Sequence, residues 1–265
     1  MIKKPHIDHG IGFDWDKASV DYAKYRDIYP DEFYQKLIDL HLCDKDMHVL
    51  DIGTGTGVLP RNLYDTKAKF IGIDNASQQI AYAKELAKKA GMDIPFFCMP
   101  AEKIDSLHHS FDTVLACQCF TYFDHDILAK ILSEVLNENG RFAILYMAWL
   151  PFEDKIAGMS EDLILSYHPQ WTGCKEVRHA IEIPQVYDHY FEKEHEEVFD
   201  LRVPFTKDRW NGRIKSCRGV DASLSEVDII RFDEEHRAML DAIAPENFDV
   251  LHYVAITVLK KKTKF

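Results

Sequence analysis

The run Val49-Leu-Asp-Ile-Gly-Thr-Gly-Thr-Gly57 constrains the fold of this chain more than any other segment. An apolar stretch from Met47 to Ile52 carries one acid, Asp51, and then breaks into glycines at alternating positions, Gly53, Gly55 and Gly57, with Thr54 between the first pair. Val58 to Tyr64 follows with helical apolar spacing, so the segment reads as strand, tight loop, helix. Bare glycine backbone lets a ligand lie directly on such a loop, and the helix start behind it presents unpaired N–H groups. A nucleotide-like cofactor is the natural occupant.

The rest of the chain to Met147 repeats the same rhythm. Asp31 to Leu42 has helical spacing behind Pro30. Strands are expected at Met47 to Ile52, Lys69 to Ile73, Ile94 to Cys98, Phe111 to Ala116 and Arg141 to Met147. Helices are expected between them, at Ser77 to Ala90 with Gly91 as its C-terminal cap, and at Asp126 to Leu136 before a turn at Asn137-Glu-Asn-Gly140. Alternation of this kind implies a parallel sheet with helices on both faces, and ligands in such sheets bind beyond the carboxyl ends of the strands. Asp51 to Gly57, Asp74, Met99 to Glu102 and Ala116 to Phe123 all fall at those ends. After Met147 the rhythm breaks. Ala148 to about Cys217 holds three tryptophans, Trp149, Trp171 and Trp210, with a loosely alternating sixth strand at His195 to Phe205. Ser223 to Ile243 is expected as a long helix, and Phe248 to Leu259 as a last strand, antiparallel at or next to the sheet edge.

A dinucleotide site has Gly-x-Gly-x-x-Gly, with an acid roughly 20 residues on. Here the spacing is Gly-x-Gly-x-Gly, Asp51 lies two residues before the first glycine, and a second acid, Asp74, ends the second strand beside Asn75. This pattern resembles the class I S-adenosylmethionine-dependent methyltransferases. The resemblance implies that the loop passes the methionine part of the cofactor, that Asp74 holds the ribose hydroxyls, and that Ala101 and Glu102 of Met99-Pro-Ala-Glu102 flank the adenine. Ala116-Cys-Gln118-Cys-Phe120-Thr-Tyr122-Phe123-Asp124 resembles the following family element, most closely that of the trans-aconitate-type, methyltransferase-domain 11/25-like small-molecule subset. Gln118 is then placed beside the methyl donor, and Thr121 stands where that subset tends to carry histidine. Upstream, Tyr22, Tyr25 and Arg26 match a segment that folds over the cofactor in the same subset; an arginine there pairs with the cofactor carboxylate and a tyrosine covers the sulfonium.

The implied fold is a Rossmann-like, doubly wound α/β sheet of seven mostly parallel strands with an antiparallel last strand and a helical cover after strand five. Residues 1–45 are expected as cofactor-lid helices and residues 46–148 as the cofactor-binding core. Residues 149–220 are expected as a substrate cover that includes the sixth strand, and residues 221–265 as the closing helix and strand.

Methyl transfer from a sulfonium is an in-line displacement that needs alignment and exclusion of water, with a base only where the acceptor must lose a proton. Candidate acceptor-binding residues are Tyr146, Trp149, Trp210 and Arg213; His168 and Trp171, in His168-Pro-x-Trp171, are the candidate base and aromatic wall. The expected activity is methylation of a small molecule at O, N or a carboxylate, with S-adenosyl-L-homocysteine as product. The alternatives are an RNA or protein acceptor, or non-catalytic cofactor binding. A net charge of −12 opposes a nucleic-acid partner. The lysine-rich end from Lys260 to Lys264 is too short to reverse this and reads as a solvated terminus. The start Met1-Ile-Lys-Lys-Pro-His lacks the apolar core of a signal peptide, and no stretch is long enough for a membrane span. Cys43, Cys98, Cys117, Cys119, Cys174 and Cys217 have no metal-site spacing and are expected as reduced thiols of a cytoplasmic monomer or homodimer without a structural metal.

Overall fold

A computed structural model describes residues 3–5 and 7–263. Met1, Ile2, His6, Lys264 and Phe265 lie outside the described residues, and with them parts of the N-terminal segment and of the lysine-rich end. Seven strands form one sheet: β1 (His48–Ile52), β2 (Lys69–Asp74), β3 (Phe96–Cys98), β4 (Phe111–Cys117), β5 (Leu136–Trp149), β6 (Phe191–Thr206) and β7 (Asn247–Lys261), in the order β3-β2-β1-β4-β5-β7-β6. The first five pair in parallel and the last two run antiparallel. Order reverses between β1 and β4, where a doubly wound sheet opens its binding crevice. The helices are α1 (Trp15–Tyr25), α2 (Asp31–Asp39), α3 (Val58–Asn62), α4 (Ser77–Lys89), α5 (His125–Val135), α6 (Lys155–Tyr167), α7 (Lys207–Lys215) and α8 (Glu226–Ile243).

Most boundaries fall within a few residues of the spacing read from the sequence; the main departure is Asn137 to Gly140. Expected as a free turn, it is carried into the start of β5 as an irregular pairing, where Phe111 lies opposite Leu136 but Thr113 lies opposite Arg141. Asp112 holds the bulge in place. Its Oδ1 accepts from Asn137 Nδ2 at 2.7 Å and its Oδ2 from His48 N at 2.8 Å, while Asn139 takes a left-handed φ of 63°. The last strand lies next to the edge rather than on it, because β6 pairs outside it.

The chain divides into two compact units. One comprises Tyr29–Met147, His179–Val198 and Val254–Phe265 and holds the parallel strands. Its core is the alternation-free apolar strand set, with Leu50, Ile52, Val114, Ala116 and Ile144 against Leu128, Leu132 and Val135 of α5. Two-faced burial explains why these strands read as continuous apolar runs.

The other unit comprises Met1–Ile28, Ala148–Arg178 and Phe199–Tyr253. Helices α1, α6, α7 and α8 pack together there. Gly212 of α7 lies flat on the Tyr25 ring, where any Cβ would come within 2.3 Å of ring carbons. Asp8, 1% exposed, pairs with Arg218 at 2.7 Å and accepts from Thr172 N and Thr172 Oγ1, tying three distant segments together.

Candidate cofactor-binding site

Parallel pairing of β2-β1-β4 brings the carboxyl ends of three strands side by side. The glycine loop springs from the end of β1. All three glycines adopt left-handed backbone, with φ of 67° at Gly53, 56° at Gly55 and 74° at Gly57, a conformation that costs any other residue about 1 kcal/mol or more. Gly53 is constrained twice, since a Cβ there would sit 2.7 Å from Cys119 Sγ. Thr54 N donates to Ile73 O at 2.8 Å, so the loop is pinned to the neighbouring strand before the chain turns into α3.

Two carboxylates organise the loop. Asp74 presents Oδ2 to Gly55 N at 3.0 Å and Oδ1 to Ala76 N at 2.8 Å, which fixes its plane. Asp51 is 2% exposed and accepts from Thr54 Oγ1 at 2.6 Å. Burial pushes the Asp51 carboxyl up to about 7; the Thr54 bond opposes this and the Asp74 charge adds to it. Asn75 is exposed beside Asp74.

Ala101, buried, opens the 3-10 turn Ala101–Leu107. Glu102 Oε1 accepts from Asp124 N at 2.9 Å, and Asp124 Oδ1 in turn accepts from Ile127 N to cap α5. Gln118 follows β4 directly with a left-handed φ of 62°; its N donates to Leu145 O at 2.9 Å and its Nε2 to Met147 O. Its amide is therefore held by β5. Flanking it, Cys119 Sγ contacts Ile52 O at 3.1 Å and Cys117 Sγ contacts Tyr29 Oη at 3.3 Å. Burial pushes the Cys117 thiol up to about 12 and the Cys119 thiol well above its ordinary value, so neither serves as a thiolate.

Asp51, Gly53, Thr54, Gly55, Gly57, Asp74, Asn75, Ala101, Glu102 and Gln118 thus share one unit and one end of one sheet, as does Tyr146, whose ring lies 5.8 Å from that of His179. Tyr22, Tyr25 and Arg26 belong to the other unit. Tyr22 lies on α1 with its side chain outside the described atoms; Tyr25 Oη donates to Asp208 Oδ2 at 3.3 Å and Arg26 Nη2 to Ser216 O at 3.1 Å.

In that second unit the remaining sequence-nominated residues form a connected set. Glu161, 2% exposed, accepts from Trp149 Nε1 at 2.6 Å and from Trp171 Nε1 at 2.5 Å. Arg213 lies 4.7 Å over the Trp149 ring and Arg218 4.7 Å over the Trp171 ring. Burial pushes the Glu161 carboxyl up to about 7, against the lowering effect of both indole N–H groups. His168, 4% exposed, donates through Nδ1 to Gly219 O at 3.2 Å; its Nε2 has no partner among the described residues. Trp210 is fully buried and donates to Ser160 Oγ at 3.0 Å. Ser160 also meets His236 Nε2 at 2.9 Å, His236 Nδ1 meets Asn211 Oδ1 at 2.7 Å, and Asn211 Nδ2 donates to Asp233 Oδ1 at 2.7 Å. Burial holds the His236 imidazole down at about 4. Sequence reasoning missed Glu161, Ser160 and His236. The available signal was polarity on the buried face of α6, where Ser160 and Glu161 interrupt Ala157 and Ile164.

The donor set of the first unit fits S-adenosylmethionine. It offers a loop of bare left-handed glycines, a carboxylate at the end of β2 with its plane fixed, and a second carboxylate whose Oε2 has no protein donor among the described residues. Such a site on a doubly wound sheet defines a class I methyltransferase fold. A family described as a methyltransferase domain matches residues 43–199, and the chain belongs to it, among the class I S-adenosylmethionine-dependent methyltransferases.

The chain is 32% identical over 133 residues to a ubiquinone biosynthesis O-methyltransferase of Bradyrhizobium diazoefficiens, covering 49% of this chain and 51% of that protein. It therefore spans about half the length of that relative. A Dictyostelium discoideum protein that carries a methyltransferase name without a stated substrate is 26% identical over 91% of this chain and 83% of its own length. Among solved structures, Haemonchus contortus phosphoethanolamine N-methyltransferase 2, in complex with phosphomonomethylethanolamine and S-adenosylhomocysteine, superimposes with a TM-score of 0.55. It is 17% identical and covers 94% of this chain and 58% of that one, a likeness of fold.

Proposed function

We propose that this chain transfers a methyl group from S-adenosylmethionine to a small-molecule acceptor at oxygen, nitrogen or a carboxylate. The observation that carries this reading is the convergence of Asp51, the three left-handed glycines, Asp74, Glu102 and Gln118 at one end of one parallel sheet. When bound, the cofactor supplies an electrophilic methyl on a sulfonium, and the acceptor displaces it in line. The protein's part is alignment and exclusion of water rather than covalent chemistry.

In this reading Asp74 receives the ribose hydroxyls, Glu102 and the Ala101 backbone receive the adenine, the glycine loop passes the methionine part, and Asp51, Thr54 and Asn75 are further cofactor-binding residues. Gln118 lines the methyl side. Residues 1–45, with Tyr22, Tyr25 and Arg26, act as lid helices on the cofactor core of 46–148; 149–220 supplies the acceptor cover and 221–265 completes the sheet. Acceptor contacts fall to Tyr146, Trp149, Trp210 and Arg213. His168 is the base where one is needed, because its Nε2 lone pair is unused, and Trp171 is the adjoining wall. A ubiquinone-pathway O-methyltransferase among the relatives supports an oxygen acceptor on a small molecule, and the acidic balance of −12 opposes a nucleic acid. Among the described residues no helix is long and apolar enough to cross a membrane and no cluster of ligands is placed for a metal; we assign the protein to the cytoplasm as a monomer or homodimer.

Calorimetry with S-adenosylmethionine and S-adenosylhomocysteine tests the reading directly. Both are expected to bind, and Asp74→Ala is expected to weaken binding about 100-fold, since two charge-assisted hydrogen bonds are lost. Absence of binding by the unmodified protein overturns the assignment. Release of S-adenosylhomocysteine across a panel of phenols, amines and carboxylic acids then identifies the acceptor class.

A further inference from the structure

The segment Gln185–His189 is a short 3-10 turn far along the chain from every cofactor motif, yet its Tyr187 reaches His125 at the start of α5. Tyr187 is 1% exposed, stacked on Phe142 at 5.9 Å and packed at 5.7 Å on Phe120. Its hydroxyl lies 3.2 Å from His125 Nδ1. His125 is the first residue of α5, and its ring packs on Phe120 at 4.5 Å. The residue before it, Asp124, donates its backbone N–H to Glu102 Oε1 at 2.9 Å. An unbroken line of contacts therefore runs from Tyr187 through His125 and the start of α5 to the carboxylate of Glu102. Burial, and behind it the nearby Glu102 charge, push the Tyr187 phenol well above its ordinary value, so the hydroxyl keeps its proton throughout the neutral range.

Glu102 is only half-buried and sits on a 3-10 turn that contains a non-helical residue, Lys103, so its own element does little to fix it. One carboxylate oxygen is held by Asp124 N, and the other has no donor among the described residues. We propose that Tyr187 and His125 are positioning residues that set the direction of Glu102, and thereby the recognition of the amino group of the cofactor's adenine. This rests on the assignment of the site to S-adenosylmethionine. Tyr187 touches neither cofactor nor acceptor in this role; it acts through α5.

The test is calorimetry with two ligands that differ only at the base: S-adenosylhomocysteine, and S-inosylhomocysteine, in which a keto oxygen replaces the adenine amino group. Tyr187→Phe keeps the ring and removes the hydroxyl. It is expected to weaken S-adenosylhomocysteine about fivefold, the worth of one misplaced hydrogen bond, and to leave S-inosylhomocysteine within about twofold. In a Glu102→Ala background the same substitution is expected to have no further effect on either ligand. His125→Phe, which keeps the packing on Phe120, is the second variant and is expected to reproduce the selective loss. An equal loss for both ligands marks a merely structural role and overturns the proposal, as does an undiminished affinity for S-adenosylhomocysteine or a loss that persists without Glu102. Failure of the unmodified protein to bind S-adenosylhomocysteine removes the cofactor assignment itself, an outcome readily told apart from the others.

Discussion

The two units treat their buried polar groups in opposite ways. In the unit with the glycine loop, carboxylates stand at strand ends and meet backbone N–H groups: Asp74 holds two, and Glu102 holds one. In the unit built from the chain's three other segments, one set of buried polar side chains bonds within itself. Glu161 is shared by two indoles, and Ser160, His236, Asn211 and Asp233 form a closed line. The difference separates a surface prepared for a ligand from a network that fixes helix against helix. Carboxylates held on backbone N–H groups beside strained backbone suit a ligand; side chains that satisfy one another give rigidity and a unique packing.

That contrast can be broken at several points. The largest effect is expected at Glu161→Ala. It strands two buried indole N–H groups and leaves a void, with a cost of about 4 kcal/mol in urea unfolding. The affinity for S-adenosylhomocysteine is expected to stay within about twofold. A weakened affinity without lost stability would reverse the roles given to the two units.

Next comes pH. The His236 value near 4 lies below the ordinary 6.5, so its neutral form is the folded one. Its contribution is present above pH 6.5 and is lost as pH falls toward 4, on the order of 3 kcal/mol. Asp51 has the opposite sign. Its carboxyl is raised to about 7 from 3.8, so stability present below pH 3.8 is lost as pH rises through 7. The two windows overlap, so between pH 4 and 6.5 the opposing contributions are expected to largely cancel in denaturation curves. Asp51→Asn removes one of them, so the stability of that variant is expected to climb from pH 4 to 6.5, and an NMR titration finds the His236 ring unprotonated down to about pH 5.

The smallest effect is expected at Gly53→Ala, about 1–2 kcal/mol of stability, from its left-handed φ and the contact with Cys119. Because the loop is the ligand surface, the loss of S-adenosylhomocysteine affinity is expected to exceed the loss of stability. Calorimetry and unfolding on the same variant decide this.

The same contrast explains what could be read from the sequence. The glycine loop, Asp51, Asp74 and Glu102 were legible because their geometry is local: each acid lies at a strand end set by a short apolar run. The five parallel strands and α8 were legible from periodicity. Glu161, Ser160, His236 and Tyr187 were not, because their partners lie 10, 50, 76 and 62 positions away and only tertiary packing brings them together. The strand-like start of β5 was missed for a related reason. Asn137 to Gly140 has turn composition, and it is Asp112 of the neighbouring strand that draws it into the sheet.

The pairing of Asp8 with Arg218 has a consequence for biosynthesis. The two residues are 210 positions apart, so on a ribosome moving at about 5–20 residues per second the first waits roughly 10–40 s for the second. Over that interval Asp8 stands without Thr172 and Arg218 in turn, while the parallel strands β1 to β5 emerge. The order of synthesis therefore produces the five parallel strands before the Asp8–Arg218 pair can close.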